Sequence, residues 1–202
     1  MSQSNPSAIS RYCDCMEDLK ARLALIKRMT EGYSPLGTEG LDGEVVCLQL
    51  RRILEQIAFG SLLAHRETYE AAHKDLEKVW RAKSLLSRLE QLHPDYYPLP
   101  LRETPDKPKG ELNFEPIKDG FLTPDEFIFL YDTASSGIHT WNPFKVAARV
   151  INFERSIAEW IGRVQRLLSV HLVRFVGKDE VWLVQMQAGP EGKVHAYTAT
   201  SG

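Results

Sequence analysis

The sequence has little cysteine, no long apolar run and no excess of one charge. Its 202 residues include three cysteines, which are Cys13, Cys15 and Cys47. Such a sparse, odd set does not indicate a disulfide framework, and the polar N-terminus lacks the features of a secretory signal, so we expect a cytoplasmic protein. No segment approaches the roughly 18 consecutive apolar residues of a membrane helix, so we expect no membrane association.

The charge balance and the missing motifs exclude several classes of protein. The chain carries 25 Lys and Arg against 27 Asp and Glu, which argues against a strongly basic nucleic-acid binder. Phosphate-binding GxxxxGK[ST] loops, GxGxxG dinucleotide motifs, GxSxG elbows and HExxH metal sites are all absent. Cys13 and Cys15 would point about 200° apart on a helix, so they cannot share a metal ion. We therefore predict no metal and no cofactor.

The apolar spacing predicts a mainly α fold, a bundle of about five helices. Ile9, Tyr12, Met16 and Leu19 begin an apolar stripe with steps of three and four residues, which is typical of an amphipathic helix. The predicted helices span 8–30, 44–72, 74–92, a segment that starts after Thr123 and loosens at Gly137, and 144–168. Thr123-Pro-Asp-Glu126 matches the capping box that begins a helix.

Two segments do not follow a helical period. Residues 94–122 contain six prolines and are predicted to be an extended arm that wraps the bundle or, alternatively, a short hairpin. The C-terminal segment alternates with a period of two and predicts a three-stranded antiparallel meander. The predicted organisation is a disordered N-terminus at 1–7, a helical bundle at 8–168 that includes the arm at 94–122, and an appended meander at 169–202.

The second predicted helix places charges on a nearly all-apolar surface. Arg51, Arg52 and Glu55 interrupt it, and at least one of these charges should be partly buried and should need a partner. They are either a buried structural ion pair or a functional polar centre. Arg149, Arg155, Arg163 and Arg166 on the last helix could form a phosphate-binding strip, although Glu154 and Glu159 dilute it and a solvated face is the default.

The string LYDTASSGIHTWNPF, residues 130–144, is the strongest lead towards a site. It places His139 just beyond a helix end, beside Ser135 and Asn142, while Tyr131 and Trp141 could stack on a base. Three Arg-to-His spacings also occur elsewhere in the chain, which is hardly more than chance predicts. They are Arg66…His73, Arg88…His93 and Arg166…His171.

The Ser-x-x-x-His helix end of this string resembles the HEPN-like helical superfamily, some of whose bacterial families are linked to abortive infection. LQLRRILEQIAFGSL, WRAKSLLSRLEQLHPDYYPLP and FLTPDEFIFLY also resemble a family of uncharacterised bacterial proteins over residues 44–145. Active HEPN ribonucleases would be expected to carry an arginine where this chain has Asp132, and an acid there would repel a phosphate. The resemblance therefore implies a non-catalytic interaction protein in bacterial defence or a toxin–antitoxin function, with a homodimer or another protein as partner.

Two alternatives remain open from the sequence. The first is a metal-independent ribonuclease, with His139 as general acid or base and Arg51 or Arg52 as the phosphate clamp. RNA would then be the partner, and whether the chain is an enzyme stays open. The second is a protein with a small-molecule or nucleotide pocket between its helices. In either case Glu55, Tyr131, Ser135, Trp141 and Asn142 are the candidate binding residues.

Overall fold

The computed structural model describes residues 7–64, 86–87, 90–91, 95–104, 113–140, 144, 151–175 and 179–200. Within these ranges the chain forms four helices and five strands. The helices are α1 (Ala8–Thr30), α2 (Glu39–Ala64), α3 (Pro124–Ile138) and α4 (Ile157–Leu168). The strands are β1 (Leu99–Glu103), β2 (Phe114–Pro116), β3 (Val170–Arg174), β4 (Glu180–Ala188) and β5 (Lys193–Thr200). None of these helices is long and apolar enough to cross a membrane.

The five strands form one antiparallel sheet in the order β2-β1-β3-β4-β5. β1 joins the C-terminal strands by pairing Leu99 with Leu172 and Pro100 with His171. The predicted fold class, a mainly α bundle of about five helices with a three-stranded meander, is therefore wrong. The described part of the chain is a mixed helical and sheet structure, because the Pro-rich segment supplies two strands to the sheet.

The Pro-rich segment contains the hairpin that the sequence offered as an alternative to a free arm. Leu101 of β1 lies opposite Pro116 of β2. The carbonyl of Pro100 accepts a hydrogen bond from the N–H of Ile117 at 2.9 Å. Pro100 has no N–H with which to return that bond, so the ladder between the two strands ends at this point.

Local capping explains where three of the helices begin. Ser7 accepts a hydrogen bond from the N–H of Ser10 at the start of α1. Thr123 and Glu126 form both bonds of the predicted capping box at the start of α3. Ser156 and Glu159 form a second capping box, which begins α4. These caps satisfy backbone N–H groups that have no partner within the helix.

The structure corrects the predicted starts of two helices. A third predicted helix lies mostly outside the described residues. The last helix begins at Ile157, not at residue 144, because residues 151–156 are non-helical and Glu154 has a φ of 59°. The second helix begins at Glu39, five residues earlier than predicted, and contains Gly40 and Gly43. Most of the helix predicted at 74–92 and the end of the one predicted at 44–72 lie outside the described residues.

The core runs from α3 through α2 and α1 to the sheet. α1 packs against α2, and it also contacts β4, β5 and α4, while α3 packs on α2. The predicted stripe of α1 is buried from Tyr12 onward, whereas Ile9 is only half-buried. Trp160 of α4 and Phe127 of α3 belong to the same buried cluster. Burial of this apolar surface is the main stabilising contribution to the fold.

The open edge of the sheet at β5 is partly closed by α1. The N–H of Val194 donates a hydrogen bond to Glu17 at 2.6 Å, and the backbone of Ala196 hydrogen-bonds the Cys13 sulfur. Edge strands expose backbone groups that can pair with another chain. Side chains of α1 already satisfy two of these groups, so part of the edge is closed to a further strand.

Candidate functional site

Arg51, Arg52 and Glu55 form a polar cluster on α2. Glu55 is almost buried, with 8% of its surface exposed. Arg51 Nε lies 3.0 Å from Glu55 Oε1, and Arg52 Nη1 lies 3.2 Å from Glu55 Oε2. The spacings of four and three residues place all three side chains on neighbouring positions of one helix. Each oxygen of the carboxylate is therefore bound to a different guanidinium group.

Tyr131 of α3 lies beside this cluster, and Ser135 follows one helical turn later. The Arg51 guanidinium stands 5.3 Å from the centre of the Tyr131 ring, a cation–π distance. Ser135 Oγ donates a hydrogen bond to the carbonyl of Tyr131 at 2.6 Å. The hydrogen bond to Glu55 raises the pKa of Arg51 against the opposing effect of burial, and Tyr131 adds to the rise. Arg51 thus stays protonated and cannot act as an acid or a base.

His139 lies at the other end of α3 from its capping box. It is the C-cap residue of the helix and its side chain is exposed. Within the described ranges, no hydrogen bond or ion pair joins His139 to Arg51 or Arg52. The structure therefore groups Arg51, Arg52, Glu55 and Tyr131, whereas Ser135 bonds to the backbone of its own helix. Trp141 and Asn142 lie outside the described residues.

The geometry of the α2 cluster suits a structural role better than a phosphate clamp. Both arginines share one carboxylate, so a phosphate would have to compete with Glu55 for their N–H donors. Removing one partner of a poorly solvated ion pair is costly because the remaining charge loses its counter-charge. Arg51 has 28% of its side chain exposed and Arg52 58%, so only Arg52 offers a large accessible surface.

A second buried polar pair was not predicted from the sequence. His171 of β3 is fully buried, and its Nε2 lies 2.7 Å from the Tyr12 hydroxyl of α1. Its Nδ1 lies 2.8 Å from the carbonyl of Leu168. A carbonyl can only accept, so Nδ1 carries the proton and Nε2 accepts from Tyr12. Burial lowers the pKa of His171 to about 4, which keeps the ring neutral.

A period-two pattern could have revealed part of this pair. His171 alternates with the half-buried Val170 and Leu172 along β3, which indicates an inward position. Tyr12 lies on the predicted apolar stripe of α1. The sequence did not show that these two faces meet, because they are 159 residues apart. His171 also belongs to one of the Arg-to-His spacings, and its burial makes it unavailable for catalysis at the surface.

A concavity in the described part of the chain lies between α1, α4 and the sheet, and not between helices alone. Its volume is about 590 Å³, which is within the range of ligand pockets. Lys20 lines it, but the Lys20 amino group donates to the carbonyls of Met186 and Gly192 and pairs with Glu17 at 2.9 Å. This lysine thus holds α1 against the β4–β5 turn. No group of three or more metal-binding side chains occurs in the described part of the chain.

No family model, no curated protein and no solved structure matches this chain. Its function has to be inferred from its own residues and their arrangement.

Proposed function

We propose that this chain is a non-catalytic interaction protein that self-associates through an exposed apolar face at the start of α2. The face, here called the leucine surface, consists of Leu36, Leu41 and Leu48. Their exposed fractions are 53%, 48% and 40%. Large apolar side chains clustered at the surface are typical of interaction sites. The proposal rests on this observation and not on the resemblance to HEPN proteins.

Local geometry supports one continuous surface. Leu41 and Leu48 are seven residues apart on α2, which is close to two helical turns, so they share a face. Asp42 holds the preceding loop against the first turn of this helix, because its carboxylate accepts from the N–H of Leu36 at 3.0 Å and from the Ser34 hydroxyl. Leu36 is thereby fixed beside the same end of α2.

Charge complementarity favours a second copy of the chain as the occupant. In a two-fold antiparallel arrangement centred on Leu48, Glu44 of one copy faces Arg52 of the other, since each lies four residues from the centre. The arrangement brings Leu48 of one copy onto Leu48 of the other, and it places two pairs of opposite charges beside this apolar contact. Arg52 is 58% exposed and has donors beyond the one that binds Glu55, so it can reach a partner.

The two edges of the sheet have less support as interaction surfaces. α1 side chains satisfy two outward-facing groups of β5, and β2 at the opposite edge has only three residues. Addition of a strand from another chain needs a longer row of free backbone groups. The leucine surface is therefore preferred over both edges of the sheet.

Charge reversal tests the arrangement directly by sedimentation velocity. Glu44→Arg and Arg52→Glu should each weaken the dimer, because each places like charges opposite one another, and the double variant should restore it. Leu48→Asp should give a monomer. Tyr197→Asp, which alters a residue of similar exposure on β5, should leave the dimer intact. The arrangement would be excluded if the double variant did not dimerise, or if Tyr197→Asp weakened the dimer as much as Leu48→Asp.

The non-catalytic part of the proposal has its own test. Because Glu55 binds both arginines, purified protein should leave RNA intact at low salt in EDTA. His139→Ala and Arg52→Ala are the matched variants. Cleavage by the wild type that disappears in both variants would establish a metal-independent ribonuclease and overturn this part.

A further inference from the structure

Three arginines meet in a small depression beside α4. The depression has a volume of about 300 Å³ and is lined by Gly120, Arg155, Glu159, Gly162, Arg163 and Arg166. Arg155 lies two residues before the start of α4, and Arg163 and Arg166 are three residues apart on the helix, so the helix and the segment before it line the same depression. The depression lies on α4 and the loop before α3, and it contains no residue of the leucine surface.

Glu126 of α3 positions two of the guanidinium groups. Arg163 binds it with two nitrogens, each at 2.8 Å, and Arg155 binds it at 3.2 Å. The same carboxylate accepts from the N–H of Thr123 in the capping box. Glu126 is thus fully engaged, with 19% of its side chain exposed, and it orders both arginines at the rim of the depression.

Arg166 adds a positive charge that no described carboxylate neutralises. A Cβ at Gly120 would lie 3.2 Å from Arg166 Nε and 3.3 Å from Arg166 Cδ, so the arginine rests directly on this glycine. Gly120 has a φ of +75°, a conformation that favours glycine. The backbone of the loop before α3 therefore favours glycine at this position. The absence of a side chain also lets the guanidinium group of Arg166 pack against the loop.

The glycine inside α4 keeps the depression open. Gly162 is an exposed helical residue, and a Cβ built there would meet no atom within 4 Å. An interior helix glycine costs about 0.5–1 kcal/mol relative to alanine, so packing gives no reason for it. Arg155, Glu159 and Arg166 surround this position along the helix face. A larger side chain at Gly162 would occupy the space between the arginines.

The balance of charge selects the ligand. Three guanidinium groups face two carboxylates, and Glu159 already accepts from the Ser156 N–H at 2.9 Å and from its hydroxyl at 2.8 Å. One positive charge and several N–H donors remain. Guanidinium groups bind phosphate oxygens through paired hydrogen bonds, and the small volume fits one such group. We propose that this depression, defined by Arg155, Arg163 and Arg166, binds the phosphate group of a phosphorylated small molecule.

Inorganic phosphate is the probe for this site. Titration into ¹⁵N-labelled protein at constant ionic strength should shift the Gly120 and Gly162 amide signals and the Arg163 Nε signal, with a dissociation constant in the low millimolar range or tighter. Arg166→Gln should weaken binding at least about tenfold, the loss expected for one charge-assisted pair. Arg102→Gln removes an exposed charge from β1 and should leave binding unchanged.

A second variant separates the site from general charge attraction. Gly162→Leu fills the depression without changing the charge, and it should abolish binding while thermal unfolding shows a folded protein. Phosphate shifts that persist in Gly162→Leu, equal weakening by Arg166→Gln and Arg102→Gln, or no shifts in the wild type would each overturn the proposal. The leucine surface lies elsewhere on the molecule, so dimer formation is measured independently of phosphate binding. The absence of a dimer would not explain a failure to bind phosphate.

Discussion

At the scale of single residues, His171 shows how burial sets a protonation state. The ring has no exposed surface and both nitrogens are hydrogen-bonded, yet neither partner carries a charge. Removal from water therefore dominates, and the pKa falls from 6.5 to about 4. The neutral ring links α1 to β3 through Tyr12, whose own pKa burial raises. The pair is a structural connection between the helices and the sheet.

This protonation state makes stability depend on pH. Above pH 6.5 His171 is neutral in both the folded and the unfolded chain, so its contribution to the free energy of unfolding is fully present. As the pH falls towards 4, only the unfolded chain gains the proton, and stability is lost by roughly 1.4 kcal/mol per pH unit. Urea unfolding should show a loss of about 2 kcal/mol between pH 7 and pH 5 that is missing in His171→Gln. The exposed His139→Gln should retain it; equal pH dependence in all three proteins would contradict the assignment.

Glu55 offers a second prediction at this scale. Glu55→Gln leaves the partly buried Arg51 without its counter-charge and should lower the free energy of unfolding by about 1–3 kcal/mol. Glu31→Gln makes the same change in an exposed pair, where Lys27 lies 3.9 Å away, and should cost less than about 0.5 kcal/mol. Chemical denaturation measures both. Similar small effects would mean that the α2 cluster contributes little to the fold.

At the scale of elements, capping signals were the most informative part of the sequence. Thr123 to Glu126 predicted the start of α3 correctly, and Ser156 to Glu159 carries the same signature for α4. Apolar residues continue at helical spacing upstream of the second signature, and this spacing predicts a helix that starts too early. Backbone geometry decides that case, since Asn152 accepts from the N–H of Glu154 in a turn that interrupts any helix.

Close packing between α2 and α3 gives a test at this scale. A Cβ at Gly137 would lie 2.3 Å from Cys47 Sγ and 2.9 Å from its Cβ, so Gly137→Ala should destabilise the fold by about 1–3 kcal/mol. Gly162→Ala, in the open space over α4, should instead stabilise it by up to about 1 kcal/mol. Thermal unfolding of both variants provides the comparison. A stable Gly137→Ala protein would contradict the close approach of the two helices.

At the scale of the whole molecule, the topology was the part that local sequence patterns could not supply. The period of two along residues 170–200 indicated strands. The prolines at 94–122 interrupt any such period, so the sequence pattern did not predict that β1 and β2 join the sheet. Joining β1 to β3 depends on contacts between Leu99 and Leu172, which are far apart in sequence. The two charged clusters show the same limit of local patterns. Arg51, Arg52 and Glu55 lie on one helix, so their spacing in the sequence predicts that they interact. The arginine depression also depends on Glu126 and Gly120, which come from other parts of the chain, so spacing does not predict it.

The most direct measurement is the molar mass of the wild-type protein in solution. Self-association through the leucine surface is the central claim, and sedimentation equilibrium from about micromolar to about millimolar protein covers the range of weak dimers. We predict a mass that rises towards twice 23.0 kDa with concentration. A mass that stays at 23.0 kDa throughout would contradict the claim.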